Sequence, residues 1–142
     1  AGVALYTVGS RKEIPGIRTY VSVDGGMADN IRPALYGAAY TAELVARPGD
    51  GDLHPVTIAG KYCESGDILI ERVDLPRLSP GDRLAIPASG AYCLAMASNY
   101  NQAYRPAVVF IENGESRLVQ RRETVEDLLR RDVLEVPPSG SA

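Results

Sequence analysis

The amino-acid sequence predicts a mainly β domain, a sandwich or barrel with one or two short helices. Three observations predict it. The dominant hydrophobic period is two, most clearly in IRTYVSVD at 17–24, where Ile17, Thr19, Val21 and Val23 alternate with Arg18, Tyr20 and Ser22. Turn dipeptides separate such runs at Pro15-Gly16, Pro48-Gly49, Pro80-Gly81 and Asn113-Gly114. The 142 residues, 45% of them hydrophobic, suffice for one core without disulfide staples.

Taken in order, strands are expected over 4–9 (ALYTVG), 17–24, 40–47 (YTAELVAR), 55–62 (PVTIAGKY), 67–75 (DILIERVDL), 83–88 (RLAIPA), 107–112 (AVVFIE) and 116–121 (SRLVQR). Asn113-Gly114 joins the last two as a tight hairpin, because a type I′ turn needs positive φ at both central residues. GAYCLAMASNYN at 90–101 loses strict alternation and reads as a loop with a short helix. TVEDLLRRD at 124–132 reads as a helix: Thr124 caps it, Asp127 lies three residues on, and Val125, Leu128 and Leu129 share a face. Two connections are long, DGGMADNIRP (24–33) and RPGDGDLHP (47–55). The first, rich in glycine and polar residues, is the kind of loop that carries function. The β domain is expected over 1–134, followed by a flexible tail at 135–142.

Composition removes several function classes. A formal net charge of −3 argues against nucleic acid as the main partner, since such binding needs a basic surface. The arginines at 117, 121, 122, 130 and 131 are interleaved with Glu123, Glu126 and Asp127, which describes a solvated face. The longest apolar-looking run, ALYGAAYTAELVA at 34–46, contains Thr41 and Glu43 and is too short to span a bilayer. No membrane partner is expected. One histidine and two dispersed cysteines make neither a zinc pattern nor a disulfide framework, so no metal and a reducing, cytoplasmic location are expected.

The densest chemistry is GKYCESGD at 60–67. A nucleophilic cysteine needs thiolate character from a nearby cation or helix N-terminus. Here Glu64 and Asp67 flank Cys63, while the lone His54 lies in a separate stretch. Carboxylates raise a thiol pKa, so these residue types favour a thiol that gives a proton, with Lys61 acting in the opposite sense; a small cysteine packed at a strand end is the plainer alternative. DGG at 24–26 suits either a tight turn or an anion cradle. Arg32 can match a carboxylate with its planar fork, and Tyr36, Tyr92 and Tyr100 can each present a hydroxyl or simply pack. Cys93 reads as a small buried residue.

Three segments occur in one order: VDGGMADNIRPALYG (23–37), GKYCESGDIL (60–69) and GAYCLAMASNYNQAYRPAVV (90–109). Together they closely resemble the C-terminal β-domain of the diaminopimelate decarboxylase family, over nearly the whole chain. The resemblance implies a pyridoxal 5′-phosphate-dependent carboxy-lyase that converts meso-2,6-diaminopimelate to L-lysine and CO2. It also implies an N-terminal (β/α)8 barrel, homodimerisation, and active sites at the subunit interface. Arg32 and Tyr36 would hold a substrate carboxylate, Cys63 would donate a proton and Glu64 would bind substrate, both reaching into the active site of a neighbouring subunit, and Tyr92 would contact the cofactor. In that family the Schiff-base lysine belongs to the barrel; Lys12 and Lys61 are the only lysines here and neither matches it. The chain alone is therefore expected to be inactive. Two alternatives accompany this reading: the β-domain of an ornithine-, arginine- or carboxynorspermidine-type decarboxylase, and a non-catalytic binding or assembly domain.

Overall fold

The computed structural model describes residues 2–45 and 51–133. The expected tail at 135–142, the Pro48-Gly49 turn and the end of the 40–47 strand lie outside them. Among the described residues the strands are β1 (Val3–Ile14), β2 (Arg18–Val23), β3 (Glu43–Val45), β4 (His54–Ala59), β5 (Ile68–Leu75), β6 (Arg83–Pro87), β7 (Val108–Glu112) and β8 (Glu115–Gln120). The helices are α1 (Arg32–Tyr36), α2 (Ala91–Met96) and α3 (Val125–Leu129), with a 3-10 turn at Tyr100–Gln102. Six strands form one mixed sheet in the order β3-β6-β1-β2-β4-β5, and β7 and β8 form a separate hairpin. Within the larger sheet β2 and β4 run parallel and the remaining pairs antiparallel. The domain is mainly β, as expected.

The core follows from period-two patterning. Tyr6 and Val8, Val21 and Val23, Val56 and Ile58, and Leu84 and Ile86 are four buried pairs spaced i, i+2 on four strands. Because alternate side chains point to one face, each strand contributes its pair to a common cluster, which Ala42, Leu69, Ile70, Leu75 and Leu78 complete.

β1 extends to Ile14, well past the expected 4–9. Its first part pairs with β6, from Val3↔Pro87 to Thr7↔Arg83, and its second part with β2, from Val8↔Val23 to Ile14↔Arg18. The second part, SRKEI, is mostly exposed, so no hydrophobic alternation announces it. β4 ends at Ala59 because Gly60 leaves the ladder and begins a loop. Ile17, expected to alternate into the core, sits in the turn before β2 and is exposed.

Helix α1 is an addition to the expected elements. Pro33 occupies its first turn, where a missing N–H costs nothing, and Gly37 at φ 64° ends it with its own N–H bonded back to the helix carbonyls. At five residues it is too short to show a 3.6-residue period. α3 begins as read: the Thr124 N–H donates to Asp127 Oδ2 at 2.9 Å. Arg121 grips the same carboxylate at 2.5 and 2.8 Å, which holds it well below the usual carboxylate range. The Asn113-Gly114 turn has φ of 52° and 81°, as a type I′ hairpin requires.

The assignment of faces is testable. Leu84→Ala should lower the unfolding free energy by about 2–5 kcal/mol in denaturant titration, because it empties a site in a closed core. Leu5→Ala, on the opposite face of β1 at 66% exposed, should cost less than about 1 kcal/mol. Equal losses would contradict the packing.

Candidate functional site

The segments that carry the residues singled out from the sequence, His54 apart, are fastened to one loop, 24–30, between β2 and α1. Three neighbours are fastened to it. On the β1 side, the Thr7 N–H donates to Asp24 Oδ1 at 2.8 Å, the Asp24 N–H donates to the Thr7 carbonyl at 3.0 Å, and the Tyr6 hydroxyl donates to Asp29 Oδ2. On the 60–67 side, the Lys61 N–H donates to the Gly25 carbonyl at 2.9 Å and the Met27 N–H donates to Asp67 Oδ1 at 2.7 Å. On the α2 side, the Ser98 N–H reaches the Ala28 carbonyl at 2.8 Å and Cys93 Sγ donates to Asn30 Oδ1 at 3.3 Å.

Asp67 is the knot. Its carboxylate is 3% exposed and takes the Met27 N–H on one oxygen and the Tyr62 N–H, at 2.8 Å, on the other. Gly26 and Gly60 pass so close that a Cβ on either would lie 2.5 and 2.1 Å, respectively, from a carboxylate oxygen. Both glycines are therefore required by close approach. Burial pushes the Asp67 carboxyl above its ordinary pKa, and the two amide hydrogen bonds pull in the opposite direction. Asp29 is similarly raised by burial against the Tyr6 bond, and the Tyr6 hydroxyl is itself pushed up by burial and by Asp29.

This arrangement answers two open points of the sequence. The DGG segment is not an open anion cradle: the Gly26 amide is bonded to Asp29 Oδ1 at 3.0 Å and the Met27 amide to Asp67. The Asp67 carboxylate, expected to help surround the Cys63 thiol, is instead committed to the backbone of two loops. Cys63 and Glu64 sit at the exposed crest of the 60–67 loop, whose ends are closed by Gly60 N–H to the Asp67 carbonyl at 2.8 Å and Asp67 N–H to the Glu64 carbonyl at 3.1 Å. Glu64 Oε1 accepts the Tyr100 hydroxyl. His54 begins β4 and Cys63 follows its far end, with roughly 16 Å of strand between the two ends, so these two do not form a catalytic pair.

Arg32 opens α1 and Tyr36 closes it, four residues on and so on one helical face. The Arg32 guanidinium carbon lies 5.3 Å from the centre of the Tyr92 ring, which α2 presents 66% exposed. Arg32 Nε is buried without a hydrogen-bond partner among the described residues, an unmet donor suited to an anion. Tyr36 is exposed beside it. Cys93 is buried, as expected, with the Tyr40 hydroxyl 3.4 Å from its sulfur. Among the described residues no group of three or more His, Cys, Asp or Glu could hold a metal, and no helix is long and apolar enough to cross a membrane.

Of the groups that could meet the pyridoxal phosphate the resemblance implies, the described residues offer a phenol and a guanidinium donor but no free-standing lysine site. Tyr92 offers an exposed phenol and Arg32 an unpaired donor, whereas Lys12 lies opposite Tyr20 in the β1–β2 ladder and the Lys61 ammonium lies 5.7 Å from the Tyr62 ring centre.

The family described as pyridoxal-dependent decarboxylase, C-terminal sheet domain, matches residues 1–90, and the chain belongs to it. It is 59% identical over 133 residues to the diaminopimelate decarboxylase of Bacillus subtilis and 52% identical over 134 residues to that of Synechocystis, covering 94% of this chain in each case. It spans only 30% and 29% of the length of those two relatives. Among solved structures, the diaminopimelate decarboxylase of M. jannaschii superposes with a TM-score of 0.86 at 37% identity, over 96% of this chain and 30% of that one. The Helicobacter pylori enzyme complexed with L-lysine gives 0.81 at 34% identity, over 90% of this chain and 31% of that one.

Asp29, Tyr6 and Asn30 were not marked by the sequence pattern as members of the site, and Asp67 was marked only as a carboxylate near Cys63. The available signal was spacing: Gly60 and Asp67 close a short loop, and Gly25-Gly26 leaves room beside it. Asp67→Asn should lower unfolding free energy by about 1–3 kcal/mol, because an amide NH2 would then face one of the two N–H donors. Denaturant titration reads this directly, and an unchanged midpoint would remove Asp67 from its central position.

Proposed function

We propose that this chain is the C-terminal part of a diaminopimelate decarboxylase, a cytoplasmic, pyridoxal-phosphate-dependent enzyme that converts meso-2,6-diaminopimelate to L-lysine and CO2. An N-terminal barrel and a second copy of the chain complete the active site in this reading. One observation supports it above the rest: a single loop fastens both an arginine with an unmet donor and an exposed Cys-Glu pair. The relatives named above carry the same activity in their names, and one is described as a complex with L-lysine, the product of this reaction.

Each residue then has a task. Arg32 and Tyr36 hold the carboxylate of the substrate end that keeps it, since a planar guanidinium matches a carboxylate in two hydrogen bonds. The substrate has two amino-acid ends, and fixing one determines which is cleaved. Glu64 takes a substrate ammonium. Tyr92 contacts pyridoxal phosphate, which supplies when bound an electron sink for the pair left on Cα as CO2 departs. Cys63 gives its Sγ proton to that carbon, and its exposure lets the sulfur recover a proton from solvent. The lysine that binds the cofactor belongs to the barrel, so neither Lys12 nor Lys61 is assigned that role. The barrel also has a surface to meet: Leu35, Tyr36, Tyr92 and Leu94 on α1 and α2 are exposed, as are Phe110 and Ile111 on β7.

In the complete enzyme, Arg32→Ala should lower kcat/KM for diaminopimelate on the order of 100-fold or more. Cys63→Ala should act mainly on kcat, by about 10²–10⁴-fold. Wild-type kinetics in Arg32→Ala would move the assignment to a decarboxylase whose substrate lacks the distal carboxylate. The isolated chain mixed with pyridoxal phosphate should show neither a stable shifted absorption band of the cofactor nor CO2 release; either result would overturn the division of the site between domains.

A further inference from the structure

We propose that Tyr100 is the positioning residue for Glu64, its hydroxyl holding one carboxylate oxygen so that the other is left for a substrate ammonium. The inference rests on the reading of Glu64 as a substrate-binding group and goes beyond it by assigning the residue that aims it.

Geometry carries it. The Tyr100 hydroxyl donates to Glu64 Oε1, while Oε2 has no partner among the described residues. The Tyr100 ring meets Tyr62 edge to face, with centroids 5.4 Å apart and planes at 87°. Tyr62 is anchored in turn through its own N–H on buried Asp67. The phenol therefore approaches the Cys-Glu crest from a wall that is already fixed.

The backbone around Tyr100 is built to hold it there. Asn101 and Gln102, which follow directly, sit at φ 51° and 60°, a left-handed conformation that non-glycine residues adopt at a cost. The surroundings impose it from both sides. Upstream, the Ser98 N–H is fastened to the Ala28 carbonyl at 2.8 Å. Downstream, the Asn99 side chain bonds the Ala103 carbonyl at 2.9 Å and also Glu123, whose Oε2 accepts the Arg105 N–H at 2.8 Å. A strained pair of residues pinned at both flanks has one evident product, the placement of Tyr100.

The chemistry is consistent. A carboxylate with one oxygen occupied by a neutral donor keeps its charge and loses rotational freedom, so the substrate ammonium meets a preoriented acceptor. The bond to Glu64, more than any other influence, raises the Tyr100 hydroxyl above its ordinary pKa and keeps it a donor. A leucine or alanine at 100 would pack without aiming anything; the phenol does both.

The test is a double-mutant cycle in the full-length enzyme loaded with pyridoxal phosphate and assayed with diaminopimelate. Tyr100→Phe keeps the ring on Tyr62 and removes the hydroxyl alone. It should raise KM by about tenfold with kcat within about twofold, and leave the unfolding temperature unchanged. Glu64→Gln should raise KM at least as far, and the double variant should match Glu64→Gln alone, since the two groups act as one unit. Wild-type KM in Tyr100→Phe beside an impaired Glu64→Gln overturns this inference only. So does a double variant whose defect is the product of the two single ones, which would describe independent packing. Wild-type KM in Glu64→Gln overturns the reading of Glu64, and the inference with it.

Discussion

A carboxylate held away from water by two backbone amides is the constraint on which the rest of the site depends. Burying the charge of Asp67 is costly unless its oxygens are paired, and the partners available are the Met27 and Tyr62 N–H groups, one on each of two loops. Satisfying both oxygens sets the separation of those loops. Once it is set, the crest carrying Cys63 and Glu64 has a defined place relative to loop 24–30, and so to Arg32 and Tyr92 beyond it. Side chains larger than glycine at 26 or 60 would occupy the space of the carboxylate itself. The aspartate and two glycines thus form one steric and electrostatic unit spread over some forty residues, with Met27 and Asp67 separated by |i−j| = 40.

Much of the fold was legible because half-buried strands advertise themselves. Val21/Val23 and Leu84/Ile86 alternate into the core as their sequences indicate, and Asn113-Gly114 turns as its dipeptide demands. What stayed hidden lacked a period. The outer half of β1 is exposed on both faces, so only its pairing with β2 reveals it as strand. Helix α1 is shorter than two turns and is defined by Pro33 and Gly37 rather than by an apolar stripe. Ile17 looked like a core position because alternation continues into a turn where no core exists to receive it.

The site divides along the same line. Arg32, Tyr36, Cys63, Glu64 and Tyr92 could be singled out by residue type and by family resemblance. Their supports could not, because Asp67 matters through whom it touches, and those partners are distant in sequence. Read locally, Asp67 is an acid four residues from a thiol; in three dimensions it belongs to the backbone of loop 24–30. Tyr100 posed a related difficulty. A tyrosine in an irregular stretch has many uses, and only the contact with Glu64 distinguishes among them.

The glycine-rich loop has a consequence for how such a domain can change. Because Gly25 and Met27 bond the Cys-Glu loop on one side while Asn30 bonds the Arg32 N–H on the other, the two groups proposed to read a substrate are tied to one short span of chain. Transplanting 60–67 alone onto a different strand pair would carry the sequence of the crest without its shape. A new specificity at either end must instead arise by exchanging side chains on an unaltered frame. Loop 24–30 is in that sense the least replaceable part of the domain, although none of its own residues is assigned to touch the substrate.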